Sequence, residues 1–359
     1  MHVPDGMINL PVSAAAGVVA AGAVAVSLRG ARRELGSGPL AEGHGAERTA
    51  PLAGLVAAFV FAVQMLNFPV AAGTSGHLLG GALAAILVGP FTGVLCIAVV
   101  LLMQGILFAD GGLTALGVNI TVMGVVTVIV SYGIFRGLLR ILPRKRRSVT
   151  VSAFVAALVS VPAAAAAFTL LYAIGGTTHI PVGKVLTAMV GVHVLIGIGE
   201  AAITALTVGA VIAVRPDLVH GARGLAAPLK LRVGGELVDA PAPAPVAAAG
   251  SRSPRGLLAA GLGTALLLAG VVSFYASASP DGLEKVAADK GIGRKVEEHA
   301  AADSPLADYG IKDISNTRLS GGLAGMIGVG ATVVVGSGIF YVVHRRRTPA
   351  NAPVTTGRS

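Results

Sequence analysis

The chain has 359 residues, 54% of them hydrophobic and only 12% charged, with a mean hydropathy of +0.80. A soluble domain carries about 25% charged residues, so this composition excludes an ordinary soluble enzyme. The net charge of +10 does not point to nucleic acid either, because the basic residues cluster just beyond the apolar runs, as the positive-inside rule describes.

Residues 8–28 form the first apolar run. A secretory signal carries positive charge before its apolar core, whereas here Arg29, Arg32 and Arg33 follow it and the leader contains only Asp5. The run therefore reads as a retained helix with its N-terminus outside. Residues 29–51 are then cytoplasmic, and 52–70 runs outward. The basic loop 136–147, with Arg136, Arg140, Arg144, Lys145, Arg146 and Arg147, must also be cytoplasmic. A single helix over 76–108 would place that loop outside. Two shorter spans broken near Gly89-Pro90 restore the rule, since proline interrupts a helix. Spans over 116–139, 149–174 and 185–214 complete a seven-helix unit covering residues 1–215.

Residues 216–255, with Ala-Pro-Ala-Pro-Ala-Pro at 240–245, read as a semi-stiff cytoplasmic linker. A two-helix unit follows over 256–347, with spans near 256–276 and 320–343 and an extracytoplasmic loop over 277–319. Residues 348–359 read as a disordered tail. The expectation is an all-α polytopic protein of the inner membrane with nine spans, its N-terminus outside and its C-terminus cytoplasmic. Small residues at fourfold spacing, Gly17-Ala21-Ala25 and Gly197-Ala201-Ala205-Gly209, predict close helix packing. The lone Cys96, in an apolar run, excludes a disulfide framework or a cysteine metal cage.

The N-terminus reads Met-His-Val-Pro-Asp-Gly. With histidine second, the initiator methionine is expected to survive. Its α-amine, the backbone nitrogen of His2 and the His2 imidazole close two adjacent chelate rings in one plane. Such a nitrogen set suits Ni(II) or Cu(II) and leaves one planar position for a second imidazole. His77, in Gly73-Thr74-Ser75-Gly76-His77-Leu78, falls on the same outer face. A polar, glycine-rich break at membrane depth is tolerated where it is buried in protein or lines a cavity, and such breaks mark transporter sites. Within the spans, His193 and Glu200 share one helix face, and an intramembrane carboxylate is a functional candidate. Both are expected to support the site or pair helices rather than bind metal. Asn67, Gln64, Gln104 and Asn119 are candidates for orienting the histidines, and Asp110 for turning the outer loop.

Four segments together resemble the CbiM/NikM family, the substrate-binding membrane components of energy-coupling-factor transporters for cobalt and nickel. They are Met-His-Val-Pro-Asp-Gly, Gly-Thr-Ser-Gly-His-Leu, Phe108-Ala109-Asp110-Gly111-Gly112-Leu113, and Gly191-Val192-His193 through Gly199-Glu200. The resemblance covers residues 1 to about 215 and implies a metal held by the Met1 amine, the His2 amide and imidazole, and the His77 imidazole. Ser279-Pro280-Asp281-Gly282-Leu283-Glu284 resembles the PDGLE (CbiN/NikN-like) accessory component, which implies a part that loads metal or gates the site through Asp281 and Glu284.

No P-loop is present, and Gly183-Lys184-Val185 lacks both the first glycine and the hydroxyl. ATP hydrolysis is therefore expected on separate ATPase subunits joined by a transmembrane coupling subunit, as the resemblance implies. The expected function is capture and translocation of Ni(II) or Co(II), with no tightly bound cofactor, and cobalamin biosynthesis as a consumer of cobalt. Planar nitrogen coordination and the fused accessory unit favour nickel. The alternatives are a membrane haem carrier ligated by His77 and His193, or a purely structural membrane partner without metal.

Overall fold

A computed structural model describes residues 1–36, 46–71, 73–143, 145–222, 230–233, 236–239 and 254–345. In chain order the helices are α1 (Leu10–Gly36), α2 (Ala46–Gln64), α3 (Gly81–Val88), α4 (Pro90–Leu107), α5 (Leu116–Asn119), α6 (Thr127–Ile141), α7 (Arg146–Gly175), α8 (Val182–Val214), α9 (Pro254–Gly270), α10 (Gly282–Lys290) and α11 (Thr317–Arg345). A π-helical stretch, Ile120–Val126, joins α5 to α6 in one continuous span. Among the described residues, seven helices are long and apolar enough to cross a membrane, namely α1, α4, the α5–α6 span, α7, α8, α9 (counted to Tyr275) and α11. The chain is thus a multi-pass membrane protein, helical because only helices satisfy every backbone group inside lipid without a closed barrel.

The third crossing differs from the two-helix expectation. The break at Gly89-Pro90 is present, but α3 has only eight residues, about 12 Å at the α-helical rise and well short of a bilayer core. The remaining depth is covered by a hairpin, β1 (Phe68–Ala71) with β2 (Thr74–Gly76), and by the buried extended segment 77–80. Extended backbone at that depth needs partners, and α8 and α2 supply them. Glu200 accepts from Leu79 N (2.5 Å) and Gly80 N (3.0 Å), while Gln64 Nε2 donates to Leu79 O (2.9 Å). Gly80 sits at φ 84°, a left-handed turn that lets α3 begin immediately. The carboxylate thus also lies at the N-terminal, positive end of α3.

Small residues behave differently in their two stripes. Gly197 lies so close to Leu158 O that a Cβ there would sit 2.8 Å away, and Ala201 packs fully buried with Ala157 and Ala82. That stripe joins α8 to α7. In the α1 stripe Gly17 packs closely against Gly117 of α5, whereas Ala21 and Ala25 are exposed.

The two units share one core. Phe61 of α2 and Phe108 press against Gly328 of α11, and Gly54 of α2 faces Ser337. Between the units, β3 (Lys230–Val233) and β4 (Glu236–Asp239) pair antiparallel within the segment expected to be a semi-stiff linker. The Pro/Ala repeat at 240–245 and the tail 348–359 lie outside the described residues.

One end of the bundle gathers the N-terminal arm, the loops around 65–80 and 108–116, the α7–α8 turn, and residues 276–316. Asn9 N donates to Gly175 O (2.7 Å), Ser277 N to Asn67 O (2.7 Å), and Asp308 N to Phe108 O (2.9 Å). The segment 277–319 is therefore folded onto the first unit, with α10 inside it and Leu283, Val286 and Ile292 buried. Its polar composition does not make it an open loop.

Removing the Glu200 carboxylate should weaken this third crossing. Glu200→Ala leaves two buried N–H groups unpaired, each worth about 1–3 kcal/mol, and should lower the thermal midpoint in detergent. Glu200→Gln keeps one acceptor and should lose less. An unchanged midpoint in Glu200→Ala would show that the crossing does not depend on these bonds.

Candidate metal centre

The N-terminal arm is held almost as tightly as a core strand. Asn119 pairs with Val3 on both sides, accepting from Val3 N (2.8 Å) and donating through Nδ2 to Val3 O (3.1 Å). Gly112 N also donates to Val3 O (2.9 Å). Asp5 accepts from Thr114 N (2.8 Å), Thr114 Oγ1 (2.5 Å) and Leu113 N (3.2 Å), which pins the arm to the 108–116 loop. Gly112 lies against Asp5 with no room for a Cβ. Asp5 thus does the loop-turning work that sequence assigned to Asp110. These bonds bury Met1 to 3% exposure.

A buried amine needs partners, and it has two. The Met1 nitrogen lies 2.5 Å from His77 Nε2 and 2.6 Å from Asp281 Oδ2. His77 Nδ1 faces Leu78 O at 3.0 Å, so Nδ1 carries the proton and Nε2 turns its lone pair toward Met1. The His77–Asp281 separation is 3.5 Å. Electrostatic pairing with the terminal amine and His77 holds the Asp281 carboxyl well below the usual range, against the opposing effect of its burial.

His2 stacks on His77, with ring centroids 5.0 Å apart and planes at 16°. Its Nε2 lies 3.1 Å from Gln104 Oε1 and its Nδ1 3.1 Å from Asp110 Oδ1. Desolvation lowers its pKa to about 4, outweighing the nearby Asp110 carboxylate. The ring is therefore neutral at pH 7 and has a single N–H to donate. Gln104 Nε2 donates to Tyr309 Oη (3.0 Å), which donates in turn to Asp110 Oδ2 (2.6 Å). That chain orients Gln104 Oε1 as an acceptor toward His2 Nε2, while Asp110 Oδ1 is an acceptor toward Nδ1, so the single N–H of neutral His2 serves one of the two at a time. Burial and the Asp110 carboxylate push the Tyr309 hydroxyl well above its ordinary range, so it remains a donor. One ring nitrogen each of His2 and His77 and one oxygen of Asp281 all lie within 4.8 Å of one another.

The other predicted residues occupy distinct positions. Glu200 holds the backbone two and three residues beyond His77. His193 is fully buried, with Nδ1 2.7 Å from Met189 O and no hydrogen-bond partner at Nε2. It packs with Met1, His77 and Asp281 around a gap too tight to hold a water molecule, with no room for a porphyrin between His77 and His193. Asn67 contributes its backbone carbonyl to Ser277 N, while its side-chain oxygen has no partner. Glu284 forms a capping box with Asp281, with both bonds at 2.8 Å. A cleft of about 1240 Å³, lined by His2, His77, Asp110, Asp281 and Tyr309 among others, adjoins the site.

Asp5, Thr114 and Tyr309 were not singled out from sequence. Asp5 gave the only signal, as the one acidic residue of the Met-His-Val-Pro-Asp-Gly leader. Tyr309 lies in a polar stretch with no motif of its own.

Residues 2–218 match the family described as cobalt uptake substrate-specific transmembrane region, CbiM, and residues 255–345 match the PDGLE domain. A protein of Haloquadratum walsbyi that is named for metal transport is 39% identical over 219 residues, which are 61% of this chain and 93% of that one. The fused nickel transport protein NikMN of Rhodobacter capsulatus is 41% identical over 138 residues, 38% of this chain and 36% of that one. A crystal structure of a transition metal transporter superposes with a TM-score of 0.50 at 27% identity, covering 60% of this chain and 93% of the other. With more than half its length matched and its relatives named for metal transport, the chain belongs to the CbiM family of cobalt and nickel transport membrane components, and carries a PDGLE domain in the same polypeptide.

Proposed function

We propose that the chain is the substrate-specific subunit of an energy-coupling-factor importer and captures Ni(II), or Co(II), through Met1, His2 and His77. The observation that carries this reading is the buried Met1 amine beside His77 Nε2, with the His2 ring stacked alongside. The amine, the His2 amide nitrogen, His2 Nδ1 and His77 Nε2 make four nitrogen donors, which suits square-planar Ni(II). Chelation through Nδ1 draws that atom from Asp110 toward the metal. The PDGLE match and the nickel-named fused relative favour nickel over cobalt.

The end of the bundle that holds the site faces outward in this reading, with the C-terminus inside, because the basic loops lie at the opposite end. Residues 1–215 form the capturing unit, 216–255 the connection, and 256–347 the accessory unit that loads or gates the site. Energy comes from separate ABC ATPase subunits through a transmembrane coupling subunit. This chain supplies specificity.

One extra residue before Met1 should abolish high-affinity nickel binding in a titration of purified protein, as should His2→Ala or His77→Ala. Equal binding by the extended and native forms would remove the terminal amine from the site.

Acidification should release the metal, because the nitrogen donors take up protons in its place. The sign of the arm's own pH dependence follows from His2. Its docked pKa of about 4 is below the free value of 6.5, so the undocked arm binds the proton first. Docking should be complete above about pH 6.5 and be lost as the pH falls toward 4, readable as protease sensitivity of the first residues in metal-free protein. Retention of nickel at about pH 4 would contradict the ligand set.

A further inference from the structure

Asp281 comes from the second unit, yet one of its oxygens reaches two of the proposed ligands. Its Oδ2 lies 2.6 Å from Met1 N and 3.5 Å from His77 Nε2. Its other oxygen is committed elsewhere, since Oδ1 accepts from Glu284 N at 2.8 Å. The residue is fixed from three sides. Ser75 N donates to Pro280 O (2.8 Å), Ser75 Oγ donates to Ser279 O (2.7 Å), and Gly282 abuts α8 so closely that a Cβ would sit 3.0 Å from His193 Cε1. The side chain is only 10% exposed. A carboxylate is thus placed, with one oxygen uncommitted to the helix cap, where a metal held by Met1 and His77 would lie.

We infer that Asp281 Oδ2 is a direct ligand of the metal, so that the capturing unit and the PDGLE unit share one coordination sphere. This inference rests on the reading of Met1, His2 and His77 as the metal site. Charge supplies the physical reason. One ionised amide and three neutral nitrogens around a divalent ion leave a net charge of one in a buried site. An isolated buried charge is costly, and a carboxylate oxygen cancels it. Oxygen also suits a position outside the nitrogen plane, giving five donors. When the accessory segment lifts away, the same ion reverts to four nitrogens and a net positive charge. The PDGLE unit would then set both the coordination number and the charge of the centre.

The test is a Co(II) and Ni(II) titration of the full chain, wild type beside Asp281→Cys and Asp281→Ser. Serine keeps the N-cap of α10 and removes the carboxylate. Cysteine places a thiolate at the same position, and a thiolate bonded to Co(II) gives an intense near-ultraviolet charge-transfer band that buried Cys96 cannot supply from α4. The expected result is that band in Asp281→Cys at one cobalt per chain, its absence in wild type, and affinity at least about tenfold weaker in Asp281→Ser. Cobalt bound by Asp281→Cys without the band would overturn the inference. If Asp281→Cys binds no metal, Asp281→Ser decides: wild-type affinity overturns the inference, and the tenfold loss supports it. Failure of the wild type to bind either metal would instead sink the reading of Met1, His2 and His77.

Discussion

The structure turns on the burial of one α-amine. A terminal nitrogen normally stays in water. Here residues 1–6 are drawn into the protein by Asn119, Asp5 and the backbone of Gly112 until the amine meets His77 and Asp281. A buried charge without partners would cost several kcal/mol, so every element around the site has to deliver a group to it. The 108–116 loop supplies the seat for the arm, the broken third crossing supplies His77, and the accessory unit supplies the carboxylate.

His77 can reach the amine only because the third crossing is not a helix. A continuous helix would have tied the backbone of residues 76–80 into its own ladder and set the His77 side chain on a fixed face. The extended segment instead hands its amides to Glu200 and its Leu79 carbonyl to Gln64. An intramembrane glutamate on α8 therefore bears on the candidate metal centre at one remove, by fixing the extended segment that carries His77. The same logic applies to His2, whose position depends on a chain running from Gln104 through Tyr309 to Asp110.

Much of this was legible in the sequence, but unevenly. The membrane class, the break at Gly89-Pro90, and the pairing of Met1 and His2 with His77 at one end all followed from charge placement, proline and motif. The shortness of α3 did not, because residues 78–88 carry no polar side chain, and burial makes an extended segment and a helix look alike in hydropathy. The docking of residues 277–319 was also hidden. Its anchors are backbone groups (Ser277 N, Pro280 O, Glu297 N and Asp308 N), and main-chain hydrogen bonds leave no signature in residue type. Asp110 was misassigned for a related reason, since its partner Tyr309 is almost 200 positions away in the chain.

The covalent link between the two units has a kinetic meaning. A separate accessory protein would have to find its partner by diffusion, and its occupancy would vary with its abundance. Joined in one chain and resting on a common core through α2 and α11, the Asp281 segment is held between α9 and α11 beside the first unit, at an effective concentration set by geometry alone. Leu283, Val286 and Ile292 are buried with it, so its seat rests on apolar packing as well as hydrogen bonds, and its occupancy does not depend on the abundance of a second protein.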